Sequence, residues 1–213
     1  MIPLAVPVLL LASSAAQTSP VVQTREVHKE EQQYRVDVSY PEIAGAVAFN
    51  AAVRQIVDPL LATLKNAHDL PGYLKSKFTA NTLKNGTVSV LLEWEQYYRG
   101  AAHPALEMAS VNYDTHEGRV LALADLFGPG VDYLPTLSRL AIAKLERQGR
   151  PQELTSPEWI RKGAGPAASN FKVFTLTDAS LVLHFAVYQV AAGAAGPQRV
   201  VISLDTLGPL RRK

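Results

Sequence analysis

The feature that most constrains this chain is Asn85-Gly86, set directly before an alternating run from Thr87 to Tyr98. Both residues of the pair tolerate positive φ, so they predict a β-hairpin closed by a type I′ turn. In the run, Val88, Val90, Leu92 and Trp94 fall on one side, and Ser89, Leu91, Glu93 and Glu95 on the other. A period of two marks a strand with one apolar face. Leu74 to Thr82 supplies the preceding strand.

The rest of the chain reads in the same terms. Tyr34, Val36, Val38 and Tyr40 alternate with Arg35, Asp37 and Ser39, which predicts another half-buried strand. Ser39-Tyr40-Pro41-Glu42 has the spacing of a capping box with proline inside the first turn. Phe49, Val53, Ile56, Leu60 and Leu64 follow at helical steps, with Pro59 placed to kink or shorten the helix. Met108 to Tyr113 and Arg119 to Leu123 read as strands around a turn at Asp114 to Gly118. Leu134, Leu137, Ala141 and Leu145 mark a helix that Gly149 ends. Ser156-Pro157-Glu158 opens a short helix carrying Trp159. Phe171 to Thr177, Leu181 to Val190 and Arg199 to Leu204 complete the sheet. Strands in hairpins beside separate helices predict an α+β fold, a mainly antiparallel sheet with packed helices.

Met1 to Ala16 carries no charged side chain, and its apolar stretch is too short to span a bilayer. Small residues follow it, so residues 1–16 are expected to be a signal peptide cut after Ala16. Residues 17–33 are polar and read as a flexible lead-in. Residues 34–213 then form a single α+β domain, in which two subdomains would meet near residues 100–105. The sequence has no cysteine, which excludes disulfides, thiolate metal sites, cysteine nucleophiles and lipid attachment at a cleavage-site cysteine. After signal cleavage nothing is long and apolar enough to be membrane-embedded, so a periplasmic or extracellular location is expected. The net charge is only +2 and the basic residues are scattered. No basic stripe or RNA-binding aromatic signature suggests a nucleic-acid partner.

The search for chemistry is mostly negative. The histidines are His28, His68, His103, His116 and His184, and no two have zinc-helix spacing. A site drawing His103 and His116 together across a hairpin with Glu93 or Glu95 is the weaker alternative to a solvated sheet face. His184 reads as a satisfied core or edge histidine. Ser169-Asn170-Phe171-Lys172 fits S-x-x-K by chance, without the companion motifs of acyl-enzyme serines. No catalytic set, metal site or cofactor is assigned. Glu93 and Glu95 stand about 7 Å apart on one strand face, not far from a glycosidase pair. The richest patch is Trp94, Tyr97, Tyr98, Arg99, His103 and Pro104, residue types that anchor interfaces and stack on sugars. Adjacent strand residues face opposite ways, so Tyr97 or Tyr98 must point away from the core. The candidate ligand-binding residues are therefore Glu93, Glu95, Tyr97, Tyr98, Arg99, His103 and Pro104.

Three segments in order resemble a known family. The first is Tyr40-Pro41, Phe49-Asn50 and Ile56. The second runs from Gly100-Ala101-Ala102-His103-Pro104 through Asn112-Tyr113-Asp114 and Gly118-Arg119 to Asp125-Leu126-Phe127. The third is Phe174-Thr175-Leu176-Thr177, Leu181, Phe185, Tyr188-Gln189-Val190, Gly196-Pro197 and Ile202. Together they resemble the extracytoplasmic domain family shared by the lysozyme-sensing anti-sigma factor RsiV and the peptidoglycan deacetylase PdaC. The resemblance implies an α+β envelope domain that binds a protein such as lysozyme, or a peptidoglycan glycan. It implies no catalysis, which in the deacetylase belongs to a separate domain. The family often has Pro-Tyr where this chain has Ala192-Gly193, so a ring is missing from one loop. The alternatives are a glycan-modifying enzyme using Glu93, Glu95 and His103, and a structural accessory protein. An acidic patch of Glu93, Glu95 and Glu107 would favour a basic partner such as lysozyme.

Overall fold

The computed structural model describes residues 20–31, 34–63, 72–149, 151 and 153–207. The expected signal peptide lies outside them. The expected hairpin is the centre of the larger of two sheets. Strands β3 (Gly72–Thr82) and β4 (Thr87–Tyr98) pair antiparallel along their full length. On one side follow β5 (Ala105–Asp114) and the short β6 (Arg119–Val120). On the other side β3 pairs in parallel with β2 (Tyr34–Ile43), which pairs antiparallel with β1 (Val22–Glu31). The sheet thus has six strands in sequence order, with one parallel junction.

Three local expectations are corrected. Most of the presumed flexible lead-in is β1, matched residue for residue to β2 from Val22↔Ile43 to Glu31↔Tyr34. Its polar composition suits an edge strand, where charge blocks further pairing. The presumed capping box at Ser39–Glu42 stays extended. Pairing between β2 and β3 stops at Val38↔Ser76, so Pro41 lies where β2 has one partner only and its missing N–H is tolerated. Helix α1 starts later and runs Val47–Thr63, with Pro59 inside it. Asn50 fixes its approach by bonding both Ile43 N and Ile43 O, at 3.0 and 2.8 Å.

The hairpin turn is also different in type. Gly86 N donates to Leu83 O at 3.0 Å, and Gly86 has φ +76°. Asn85 keeps a negative φ, because Tyr188 is the one non-glycine residue with positive φ among those described. The link is therefore a type I turn closed by a left-handed glycine, the three-residue hairpin form, and not type I′.

The C-terminal half builds a second sheet rather than completing the first. Strands β7 (Phe174–Leu176), β8 (Ser180–Phe185) and β9 (Gln198–Ser203) pair antiparallel in that order. Helices α2 (Leu134–Arg147) and α3 (Pro157–Gly163) accompany them. Ser156 caps α3 by accepting from Trp159 N at 3.1 Å, as its sequence predicts. The expected strand to Val190 ends at Phe185. There Ala186 N donates to Gln189 Oε1 at 3.0 Å, and Gln189 Nε2 reaches Gly163 O and Asn170 O, both at 2.9 Å. Gln189 thereby turns the chain aside instead of extending the ladder.

Two hydrophobic cores result. One packs Phe49, Val53 and Val57 of α1 on Val36, Val38, Leu74, Val88, Val90 and Leu92 of the larger sheet. The other gathers Leu137, Ala141 and Leu145 of α2 with Ile160, Phe171, Leu181, Leu183, Phe185 and Ile202. Alternation in β4 and β9 is what allows each sheet to give one face to its core.

The sheets meet edge to face. Phe174 N donates to Ser110 Oγ (3.0 Å) and Phe174 O accepts from Asn112 Nδ2 (2.9 Å). Leu176 N donates to Ser89 Oγ (2.7 Å) and Leu176 O accepts from Asn81 Nδ2 (3.3 Å). These four backbone groups point away from β8, so the free edge of β7 is satisfied by side chains of the larger sheet. Ser89 also donates to Asn112 Oδ1 at 2.6 Å, which ties the receiving side chains together.

Candidate functional site

The face of the larger sheet that α1 leaves uncovered carries the candidate site. Residues directly opposite in an antiparallel pair share a face. The register sets Tyr73 against Tyr97, Lys75 against Glu95 and Lys77 against Glu93. On the other flank Glu95 stands against Leu106 and Glu93 against Met108. Trp94 and Tyr98 pack instead on the α1 core, so Tyr97 is the tyrosine that turns away from it.

The site is an aromatic pair held in a charged frame. The rings of Tyr73 and Tyr97 stack with centroids 5.7 Å apart and planes 27° from parallel. The Tyr73 hydroxyl donates to Glu95 Oε1. That hydrogen bond, with smaller help from desolvation and from the carboxylate charge, pushes the Tyr73 phenol up to about 12. Lys75 Nζ lies 4.6 Å from the Tyr73 ring centroid, a cation–π contact. Lys77 Nζ lies 3.5 Å from Glu93 Oε2. Hydroxyls, a carboxylate, ammonium groups and ring faces stand together on one half-exposed strip.

The structure divides the sequence candidates. Glu93, Glu95 and Tyr97 share the uncovered face. Tyr98 lies on the opposite one, where Gln96 Nε2 donates to its hydroxyl. Arg99 is exposed in the turn leaving β4, beside Gly100 with φ +94°. His103 and Pro104 stand in the loop between β4 and β5. His103 Nδ1 lies 3.0 Å from Pro104 O, which can only accept, so Nδ1 carries the proton. Its Nε2 lies 3.3 Å from the Tyr188 hydroxyl, which donates to it in the neutral tautomer.

Two proposed constellations do not form. His103 precedes β5 and His116 follows it, so they stand roughly 30 Å apart at about 3.3 Å per strand residue. Glu107 is matched to Trp94 and lies on the face opposite Glu93 and Glu95, which dissolves the acidic patch. Among the described residues no group of three or more His, Asp or Glu is placed to hold a metal ion. None of the helices described is long and apolar enough to cross a membrane. His184 has Thr175 Oγ1 at 2.9 Å from Nε2, a satisfied, half-buried histidine.

Sequence reasoning missed Tyr73, Lys75 and Tyr188. The first two become visible once the hairpin register is known. Tyr188 was read as one more strand residue, although it sits 54% exposed at φ +69°.

An edge-on junction of two antiparallel-rich sheets, each with its own helical cover, defines the class as α+β. Residues 124–205 match the family described as "Protein of unknown function (DUF3298)". The chain is 30% identical over 122 residues to the peptidoglycan-N-acetylmuramic acid deacetylase PdaC of Bacillus subtilis, a stretch covering 57% of this chain. It spans about a quarter of that relative's length, 25%. A DUF3298 family protein from Pseudomonas aeruginosa superposes with a TM-score of 0.61 at 15% identity, covering 90% of this chain and 95% of that one. A family member from Bacteroides fragilis gives 0.60 at 16% identity, covering 91% and 95%. The chain therefore carries a domain of the DUF3298/PdaC type. The family match takes in the second sheet and Tyr188, while the Tyr73–Tyr97 strip lies before it.

Proposed function

We propose that this chain is a periplasmic or extracellular envelope domain that binds peptidoglycan glycan through the uncovered face of β3 and β4. The observation that carries the reading is the Tyr73–Tyr97 stack, with the Tyr73 hydroxyl engaged by Glu95 and Lys75 over its ring. A sugar ring has an apolar face for aromatic carbons and a rim of hydroxyls and amides for polar groups. The strip offers both kinds of contact on rigid strands, which keeps the ordering cost of binding low. Kinship with a deacetylase named for a peptidoglycan substrate supplies the chemical context.

Binding is favoured over catalysis by the partners of the candidate groups. Glu93 is engaged by Lys77 and Glu95 by Tyr73, while His103 is engaged by Pro104 and Tyr188. Each of the three candidate groups is thus already held by a neighbouring side chain or carbonyl. A glycan is favoured over a basic protein such as lysozyme because Glu107 does not join Glu93 and Glu95.

Co-sedimentation with purified peptidoglycan, and calorimetry with soluble N-acetylglucosamine–N-acetylmuramic acid oligomers, test the reading. Saturable binding is expected, with a dissociation constant in roughly the micromolar to millimolar range for an open, pre-formed strip. Absence of binding to both forms at millimolar oligomer would reject it.

A further inference from the structure

Tyr188 is the one described non-glycine residue at positive φ, and a ring-bearing residue pays for that conformation in strain. Its surroundings hold it there from three sides. Its carbonyl accepts from Trp159 Nε1 at 3.0 Å. Its hydroxyl meets His103 Nε2 at 3.3 Å, joining the loop after β8 to the loop after β4. The hydroxyl end of its ring rests against Gly193, where an added Cβ would stand 2.4 Å from the Tyr188 oxygen. Gly193 carries no side chain, and this leaves open the space that the hydroxyl end of the Tyr188 ring fills.

A buried ring so held would read as packing. This one is 54% exposed. Burial therefore does not explain the strain, and three separate elements converge to fix a ring that faces solvent. Locked conformation with retained exposure is what a stacking contact needs, because little freedom is left to lose on binding.

We propose that Tyr188 is an affinity-determining contact for the same glycan, its ring stacking on a hexosamine while His103 positions the ring through the hydroxyl. The proposal rests on the reading of the domain as a glycan binder. It adds an aromatic contact beyond the Tyr73–Tyr97 pair, delivered from the loop after β8 and tied through His103 to the loop that follows β4.

Two substitutions test it by calorimetry with the N-acetylglucosamine–N-acetylmuramic acid oligomers, each paired with a thermal melt. Tyr188→Asn keeps a residue that accepts positive φ and removes the ring. Its melting temperature is expected to stay level or rise, while affinity falls about tenfold, the size of one interface anchor. Gly193→Ala keeps the tyrosine but displaces its hydroxyl end, and affinity is again expected to fall with the fold retained. Unchanged affinity in both variants, with wild-type binding intact, overturns the role of Tyr188 and leaves the β3–β4 strip as the site. A drop in melting temperature without loss of affinity assigns Tyr188 to structure and also overturns it. No binding by the wild-type protein removes the glycan reading and this proposal together.

Discussion

The uncovered face of the larger sheet is used in two ways along the same strands. Near the β3–β4 turn it presents Asn81, Ser89, Ser110 and Asn112, which receive the edge of β7. Toward the other end it presents Tyr73, Lys75, Glu95 and Tyr97, with Glu93 between the two stretches, near enough to His184 of β8 for its charge to act on that imidazole. The difference lies in side-chain size and reach. Short hydroxyls and amides bring another backbone close and satisfy it with fixed geometry. Rings and long charged chains hold a backbone off but suit a ligand that offers its own faces and hydroxyls. One strand thus supplies glue and site by changing residue type every second position.

The comparison can be broken most forcefully at Asn112, which is 1% exposed and links both sheets. Asn112→Ala leaves Phe174 O without its donor and Ser89 without its acceptor. Equilibrium urea unfolding should show a loss of about 2–3 kcal/mol, the cost of stranding buried polar groups. A loss under about 0.5 kcal/mol would mean that the sheets dock by apolar packing alone.

Tyr97→Ala should do the reverse. Its half-exposed ring makes a small contribution to folding, so the same urea experiment should register under about 1 kcal/mol. Oligomer affinity should fall about tenfold or more, as for a central aromatic anchor. If Tyr97→Ala destabilises as much as Asn112→Ala, the strip is architecture and the distinction between the two ends fails.

The Tyr73–Glu95 contact gives a spectroscopic version of the same question. Tyr73 ionises at about 12, above the ordinary value of 10.0, because ionising it breaks the bond to Glu95. A raised pKa means that the stabilisation is complete below pH 10 and is lost as pH rises through about 12. Ultraviolet titration of tyrosinate should contain one late phase near that pH. Tyr73→Phe should remove that phase with little effect on stability near neutrality. Survival of the late phase in Tyr73→Phe would show that it belongs to another tyrosine.

How much of this was legible depends on single residues. Alternation in Thr87–Tyr98 placed Glu93, Glu95 and the inward Val88, Val90 and Leu92 correctly, because period two is set by the backbone itself. Tyr73 was hidden by the turn. A type I′ turn on Asn85-Gly86 would match Tyr73 with Tyr98, on the core face. The left-handed Gly86 after a type I turn shifts the match to Tyr97. One residue of register decides whether the strip exists. Tyr188 was hidden because Leu181–Val190 is apolar enough for a strand throughout. What ends that strand is the Gln189 amide reaching Gly163 and Asn170, carbonyls that only the tertiary fold brings near. The edge-on docking was illegible for the same reason: serine and asparagine on an open strand face look like a solvated surface.

The smallest effect expected concerns two histidines, one in each setting. His184 lies beside β7, with Thr175 at 2.9 Å, and burial pushes its imidazole below the ordinary 6.5. Glu93 opposes that shift and Arg199 adds to it. The folded state therefore prefers neutral His184. Its contribution to stability is present above pH 6.5 and is lost as pH falls through the lowered value, since the unfolded chain protonates first. His28 on β1 behaves oppositely. Hydrogen bonds to Asp37 and then Glu26 raise it, so its contribution is present below 6.5 and is lost as pH rises through the raised value. His28 is fully solvated, and salt should screen its effect toward nothing. His184→Gln keeps a polar partner for Thr175 and removes the titration. Urea midpoints measured from pH 7 down to pH 5 should fall more steeply in the wild type than in His184→Gln, and 0.5 M salt should leave that difference in place. Equal slopes would mean that protons reach His184 without loosening the second sheet, and that the docked end of the face is as open to solvent as the other.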